Sequence, residues 1–195
     1  MARNLEFDYA AVLERATLQF WETGYLGTSQ RDLLDAMEIG GGSFHNTFKS
    51  KKKAYLECLK HYNSTASRLR REAFSSAPTA AEGVHALFNA VLGCLDDPNT
   101  PSPICLMADS VTRGVFADPE LRDYVQQQMS MMSELMTARL AVDKEAGLLP
   151  AEFEPETVVQ VIVTYLQGVW RMALVSYDRP RFERQNEAFL KGLGL

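Results

Sequence analysis

The stretch Ile39–Lys53, IGGGSFHNTFKSKKK, sets three glycines, a short polar and aromatic run and four lysines side by side. Two kinds of chemistry use these ingredients. A glycine-rich loop followed by lysine cradles the phosphates of a nucleotide when a strand leads into it and Lys-Ser or Lys-Thr opens a long helix. Here the residues before the glycines have helical periodicity, and no lysine lies between the glycines and Ser43. The nucleotide reading therefore fails on both spacing and context. The alternative is a pair of short helices joined by a tight glycine-containing turn, the second helix being presented to DNA.

Reading outward from this stretch, helix signals dominate. Val12, Leu13, Ala16 and Phe20 recur at three-to-four spacing, and Gly24 is the expected stop. Thr28-Ser29 caps QRDLLDAM, whose Leu33, Leu34 and Met37 form one apolar stripe. Phe44 and Phe48 lie four apart on one face of the next helix. With Leu33, Leu34, Met37 and Ile39, they are expected to pack on Val12, Ala16 and Phe20. Ser43, His45, Asn46 and Thr47 then face outward, each able to donate a hydrogen bond to a phosphate or a base edge. Gly40–Gly42 allow the backbone to come close to DNA with N–H groups aimed at phosphate.

Ser50 caps a further helix, marked by Ala54, Tyr55, Leu59 and Tyr62 and expected to reach about Ser75. Lys51, Lys52 and Lys53 occupy its first turn, where the helix dipole disfavours cations by some tenths of a kcal/mol each, roughly. An external anion reverses the sign of that effect. Beyond Pro78, helices are expected over 80–95, 104–114, 119–146, 155–177 and 180–192. Asp118-Pro119 and Glu154-Pro155 are helix starts, and DDPNTPSP (Asp96–Pro103) is the clearest loop. The fold class is all-α.

Bulk properties narrow the function. The 195 residues carry a net charge of −5, yet residues 1–62 balance eight basic against eight acidic side chains. Within Gly42–Lys60, five lysines face one glutamate, so a polyanion meets one small positive patch and repulsion elsewhere. The opening MARNLEFDYAAVLERA has no leader-like pattern, and Val158–Val175, interrupted by Gln160, Gln167 and Arg171, reads as a buried helix rather than a membrane span. Three cysteines (Cys58, Cys94, Cys105) cannot all pair, which favours reduced thiols and a cytoplasmic setting. Cys58 and His61 lie one helical turn apart, but no second ligand pair completes a metal site, and none is expected. No convergent acid, base or nucleophile points to an enzyme, and no cofactor is expected. A helical protein-interaction adaptor is the remaining rival class.

The segment Ala16–Tyr62, ATLQFWETGYLGTSQRDLLDAMEIGGGSFHNTFKSKKKAYLECLKHY, resembles the DNA-binding domain of the TetR/AcrR family of bacterial transcriptional regulators. The landmarks are Phe20, Gly24, Thr28-Ser29, Ala36, Ile39, Gly42-Ser43-Phe44, Phe48 and Ser50-Lys51. The resemblance implies a homodimer with an N-terminal helix-turn-helix domain (1–50), a connecting helix (51–75) and an effector-binding and dimerisation domain (76–195). It implies a repressor of double-stranded operator DNA, released by a small-molecule effector, with no membrane partner. By position, Ser29, Gln30 and Arg31 open the first helix of the motif. Gly41, Ser43, His45 and Thr47 lie on the recognition helix, and Lys51 contacts phosphate. Three residues depart from the family pattern: Glu38 replaces the usual turn glycine, Gly41 a contacting polar residue, and His45 a tyrosine.

The helix from Pro155 is apolar almost all round and must be covered on more than one side. The resemblance assigns the last two long helices to a four-helix dimer interface, with Val159, Ile162, Val163, Leu166, Trp170, Phe182 and Phe189 as its candidates. Methionines are adaptable pocket linings. The effector candidates are Met107, Met129, Met132 and Met136 with Cys105, Asp109, Tyr165 and Trp170. Cys105, near an expected helix start where a thiolate is stabilised, is also the candidate for a redox- or electrophile-sensing regulator of the same fold.

Overall fold

The computed structural model describes residues 8–195; Met1–Phe7, the first part of the stretch without a leader-like pattern, lie outside the described residues. Eleven helices are found there: α1 (Tyr9–Gly27), α2 (Gln30–Met37), α3 (Gly41–Phe48), α4 (Lys51–Ser64), α5 (Ala66–Ser76), α6 (Ala80–Asp96), α7 (Leu106–Asp109), α8 (Arg113–Phe116), α9 (Pro119–Glu145), α10 (Pro155–Val175) and α11 (Arg179–Gly192). Among the described residues there is no strand.

By packing, the chain divides into two compact units. One comprises Met1–Thr65 with Cys105–Val125, the other Ala66–Ile104 with Gln126–Leu195. The proposed division by role, at residues 50 and 75, is a different partition. By contacts α4 belongs with the first three helices, as do α7, α8 and the start of α9.

In the first unit, Asp8 accepts a hydrogen bond from the Ala10 N–H at 3.0 Å and caps α1. Gly24 is a kink within α1 rather than its end: its φ of 72° and ψ of 169° interrupt the helix, which resumes to Gly27. The positive φ is what requires glycine, since the atom a β-carbon would meet, Asp109 Oδ2 at 2.8 Å, is the tip of a movable side chain. The core holds the expected Val12, Ala16, Phe20, Leu33, Met37, Phe44 and Phe48, joined by Tyr55, Leu59 and Tyr62 of α4. Burying each large apolar side chain contributes about 1.5–3 kcal/mol before chain entropy is counted.

Two expected helices are broken. The helix from Lys51 stops at Ser64, where Thr65 leaves the helical region (φ −112°, ψ −94°) while its N–H and hydroxyl donate to His61 O at 3.0 and 2.8 Å. A side chain that bonds the preceding turn competes with helix continuation. The stretch 104–114 forms α7 and α8 instead of one helix. Between them, the Ser110 hydroxyl bonds Leu106 O and Tyr55 Oη, each at 2.8 Å, and Thr112 Oγ1 accepts from the Val115 N–H to start α8.

In the second unit, α5 and α6 pack so closely that a β-carbon on Gly83 would meet Phe74 O at 2.6 Å. Two side chains of α9 hold the turn between these helices. Arg139 donates to Phe74 O at 2.5 Å and Ala77 O at 2.7 Å, while Asp143 accepts from the Ala80 N–H at 2.7 Å. Thus α9 serves the carboxyl end of one helix and the amino end of the next, the groups a helix leaves unpaired. Phe74, Val84, Phe88, Met136, Leu140, Val159, Ile162 and Leu190 form the core. By length and composition α10 is apolar enough to cross a membrane, but Val159, Ile162, Val169, Trp170 and Ala173 are buried in the fold.

Candidate nucleic-acid interface

Helix α2 begins with reciprocal capping: the Asp32 N–H donates to Ser29 Oγ at 3.1 Å, and the Ser29 N–H to Asp32 Oδ2 at 2.7 Å. Hydrogen bonds from Ser29, its backbone N–H first and its hydroxyl second, hold the Asp32 carboxyl below its ordinary range. Leu33 and Met37 are buried, leaving Ser29, Gln30 and Arg31 exposed at the helix start.

The turn after α2 passes through Glu38, which takes the left-handed conformation (φ 56°, ψ 40°). The Ile39 N–H reaches back to Leu34 O at 3.3 Å, closing the helix end. Arg15 of α1 donates to Met37 O at 2.7 Å and lies 3.8 Å from the Glu38 carboxylate. These contacts set the angle at which the chain enters α3.

Helix α3 starts at Gly40, which has no side-chain cap. Phe44 and Phe48 are buried, Phe48 stacking on Tyr9 at 5.8 Å. Gly41, Gly42, His45 and Asn46 are exposed, and Ser43 is half-buried. Thr47 departs from the outward orientation: its hydroxyl is buried with no hydrogen-bond partner. A β-carbon on Gly40 or Gly42 would meet nothing within 4 Å, and neither has a positive φ, so the chain's own packing does not demand glycine there. Lys49 ends α3 with φ 67° and ψ −43°, and the Ser50 N–H donates to Phe48 O at 2.8 Å across it. This is a strained γ-turn.

The three lysines that follow are not equivalent. Lys52 Nζ lies 3.1 Å from Asp118 and 3.3 Å from Glu120, and Lys53 Nζ lies 2.5 Å from Glu120. Asp118 Oδ1 also accepts from the Glu120 and Leu121 N–H groups at the start of α9. Hydrogen bonds donated to both carboxylates, Asp118 first, push the Lys52 ammonium above its ordinary value. Lys53 chiefly holds Glu120 below its own; for Asp118, the Leu121 N–H and Lys52 outweigh an opposing burial penalty. Internal acids therefore do for Lys52 and Lys53 what an external anion was expected to do. Among the described residues no carboxylate forms an ion pair with Lys51. Its Nζ stands 4.6 Å from the centre of the Tyr25 ring, and burial lowers its pKa against the opposing pull of Asp32.

Three contributors were missed in sequence: Arg15, Tyr25 and the Asp118/Glu120 pair. Only the last left a signal, an acid on each side of Pro119 in a chain with three lysines awaiting partners.

The effector candidates fall in two groups. Cys105, Met107 and Asp109 belong to the first unit, where the buried Cys105 thiol accepts from the Tyr62 hydroxyl at 3.3 Å. Met129, Met132, Met136, Tyr165 and Trp170 belong to the second. There, Met136 is core, Met132 and Tyr165 pack against it, and the Arg70 guanidinium sits 5.6 Å above the Trp170 ring. Among the dimer candidates, Val159, Ile162, Trp170 and Phe182 are buried inside the protomer, and Val163, Leu166 and Phe189 pack on the same core cluster. The exposed apolar residues of α10 are Val161, Met172, Leu174 and Val175.

A short helix over an aromatic core, entered by a tight turn and followed by a basic helix start, defines a helix-turn-helix module of the kind that transcriptional regulators place on DNA. The comparisons agree. No family-level sequence model matches the chain. It is 30% identical over 166 residues, 85% of this chain and 84% of the relative, to the HTH-type transcriptional regulator YezE of Bacillus subtilis. It is 21% identical to the HTH-type transcriptional repressor ComR of Escherichia coli, over 84% of this chain and 78% of the relative. The structure of the TetR family regulator CifR, a cysteine mutant with 26-bp double-strand operator DNA, superposes with a TM-score of 0.88 at 29% identity, covering 97% of this chain and 98% of that one. The chain belongs to the TetR family of transcriptional regulators.

Proposed function

We propose that this regulator is a cytoplasmic repressor that binds operator DNA as a homodimer and is released by a small molecule. The observation that carries the reading is the surface of α3. Gly41, Gly42, His45 and Asn46 are exposed over a buried Phe44–Phe48 face, with Lys51 in the first turn of the next helix. Gly41, Ser43, His45 and Asn46 would enter the major groove, while Thr47, its hydroxyl buried, would not. Ser29, Gln30 and Arg31 would meet the phosphate backbone beside Lys51, since helix starts favour anions. CifR, seen with operator DNA, supports this use of the module.

A palindromic operator needs two modules. The second copy would dock on the exposed α10 residues Val161, Met172, Leu174 and Val175, with Val163, Leu166 and Phe189 beneath them. An effector would insert beside Tyr165 and Trp170 among Met129, Met132 and Met136, whose flexible thioether chains re-pack readily. It would favour a half-site spacing that no longer fits DNA. Thiol sensing is the weaker reading, because Cys105 is only 8% exposed and Tyr62 donates to its sulfur. The test is a mobility shift on the DNA upstream of the chain's own gene, with rising salt. A salt-sensitive complex containing two protomers is expected; its absence at low salt overturns the proposal.

A further inference from the structure

We propose that Tyr25 is the positioning residue that presents Lys51 to a DNA phosphate, and that Lys52 and Lys53 serve the fold instead. The inference rests on the DNA-binding reading and goes beyond it by separating three adjacent lysines that the sequence leaves alike. Each step has a structural cause. The kink at Gly24 (φ 72°) directs Tyr25 out of the line of α1. The Tyr25 ring packs against Tyr55 at 4.7 Å and Phe20 at 6.3 Å, so two core aromatics fix its plane. Lys51 Nζ lies 4.6 Å from the centre of that ring.

A cation over an aromatic face is attracted by the ring quadrupole, yet a ring, unlike a carboxylate, leaves the ammonium protons without strong acceptors. The contact restrains the long side chain without neutralising it. Lys52 and Lys53 are held the opposite way, by Asp118 and Glu120 at 2.5–3.3 Å, and a phosphate would have to displace a carboxylate to reach them. The charge acting on Lys51 is that of Asp32, whose carboxylate already accepts from the Ser29 N–H at 2.7 Å. A phosphate approaching the start of α2 would thus meet one restrained and unpaired ammonium. Restraint before binding lessens the side-chain entropy lost on binding.

The experiment is fluorescence anisotropy of the full chain on a labelled duplex of its own upstream DNA, from about 50 to about 200 mM salt. Lys51→Ala should lower the slope of log affinity against log salt by about 0.9 per phosphate contact, hence about 1.8 for a dimer. Tyr25→Leu should keep the wild-type slope but weaken binding severalfold at each salt concentration, Tyr25→Phe should bind as the wild type does, and the Tyr25→Leu/Lys51→Ala pair should bind no more weakly than Lys51→Ala alone. Wild-type affinity in folded Tyr25→Leu, or additive losses in the pair, would overturn the proposal. A wild-type slope in Lys51→Ala would instead overturn the phosphate role of Lys51. If Tyr25→Leu does not fold, the ε-methylene proton shifts of Lys51 in the wild-type chain decide. Displacement upfield by the ring, retained in Tyr25→Phe, supports the contact, and shifts typical of a free lysine refute it. Failure of the wild-type chain to bind any duplex would count against the DNA-binding reading, while the methylene shifts would still report on the Tyr25–Lys51 pair.

Discussion

Glu38 and Gly42 each depart from what a stability-optimised chain would carry, for different reasons. Glu38 occupies the left-handed region, which disfavours a non-glycine residue by about 1–2 kcal/mol. Its exposed ion pair with Arg15, at 3.8 Å, returns about 0–1 kcal/mol. Glu38→Gly should therefore raise stability by about 0.5 kcal/mol, read from denaturant unfolding with an unchanged slope; a loss of stability would show that the carboxylate does more than the distance indicates. Gly42 lies inside α3 with open space where a β-carbon would go. Gly42→Ala should stabilise the chain by about 0.5–1 kcal/mol through helix propensity. On the proposed docking of α3, the same variant should weaken DNA binding, because the methyl group would stand between the backbone and the groove. Stabilisation with unaltered affinity would show that this position does not meet DNA.

At the scale of elements, the two clasps made by α9 have different chemistry. Asp118 and Glu120 ionise more readily in the folded chain than in isolation. A carboxyl group with a lowered folded pKa contributes stability above its unfolded value, near 4, and that contribution fades as pH falls through the folded value. Lys52, with a raised folded pKa, contributes fully below its unfolded value and loses that contribution only as pH rises through the higher folded one. Acid should therefore open this clasp. The midpoint of thermal unfolding should fall between about pH 5 and about pH 3 more steeply in the wild type than in Asp118→Asn/Glu120→Gln, and equal slopes would show that the ion pairs add nothing. Further along α9, Asp143→Ala leaves the buried Ala80 N–H without its acceptor. A loss of about 1–3 kcal/mol is expected in urea unfolding. Asp143→Asn, which keeps an acceptor oxygen, should recover most of it.

These elements also show where sequence reading works. The apolar spacings through Phe20, Leu33, Met37, Phe44 and Phe48 specify α1 to α3 because their burial repeats at the helical period. The break at Thr65 is not legible: Ala66–Ser76 continues as a good helix former, and the backbone leaves the helical region at Thr65 alone. The partners of Lys53 and Lys51 are hidden to different degrees, since the acids flanking Pro119 leave a trace in sequence and Tyr25 leaves none. Glu120 lies 67 residues from Lys53, and the Tyr25 contact depends on a kink at Gly24 that reads in sequence only as a stop.

At the scale of the whole molecule, the account requires two copies. Val175 is 75% exposed and Met172 56%, on a helix whose other apolar side is already used in its own core. Met172→Glu/Val175→Glu should shift the chain from dimer to monomer in sedimentation velocity while leaving its helix content intact. A dimer that survives both charges would place the interface elsewhere. The claim on which everything else rests is that α3 and Lys51 together grip DNA. The most direct measurement is the equilibrium affinity of the purified chain for its own upstream DNA as salt is varied, with Lys51→Ala beside it. Affinity that falls steeply with salt in the wild type, and less steeply in Lys51→Ala, is the predicted result. No binding at low salt, or the same slope in both proteins, would contradict it.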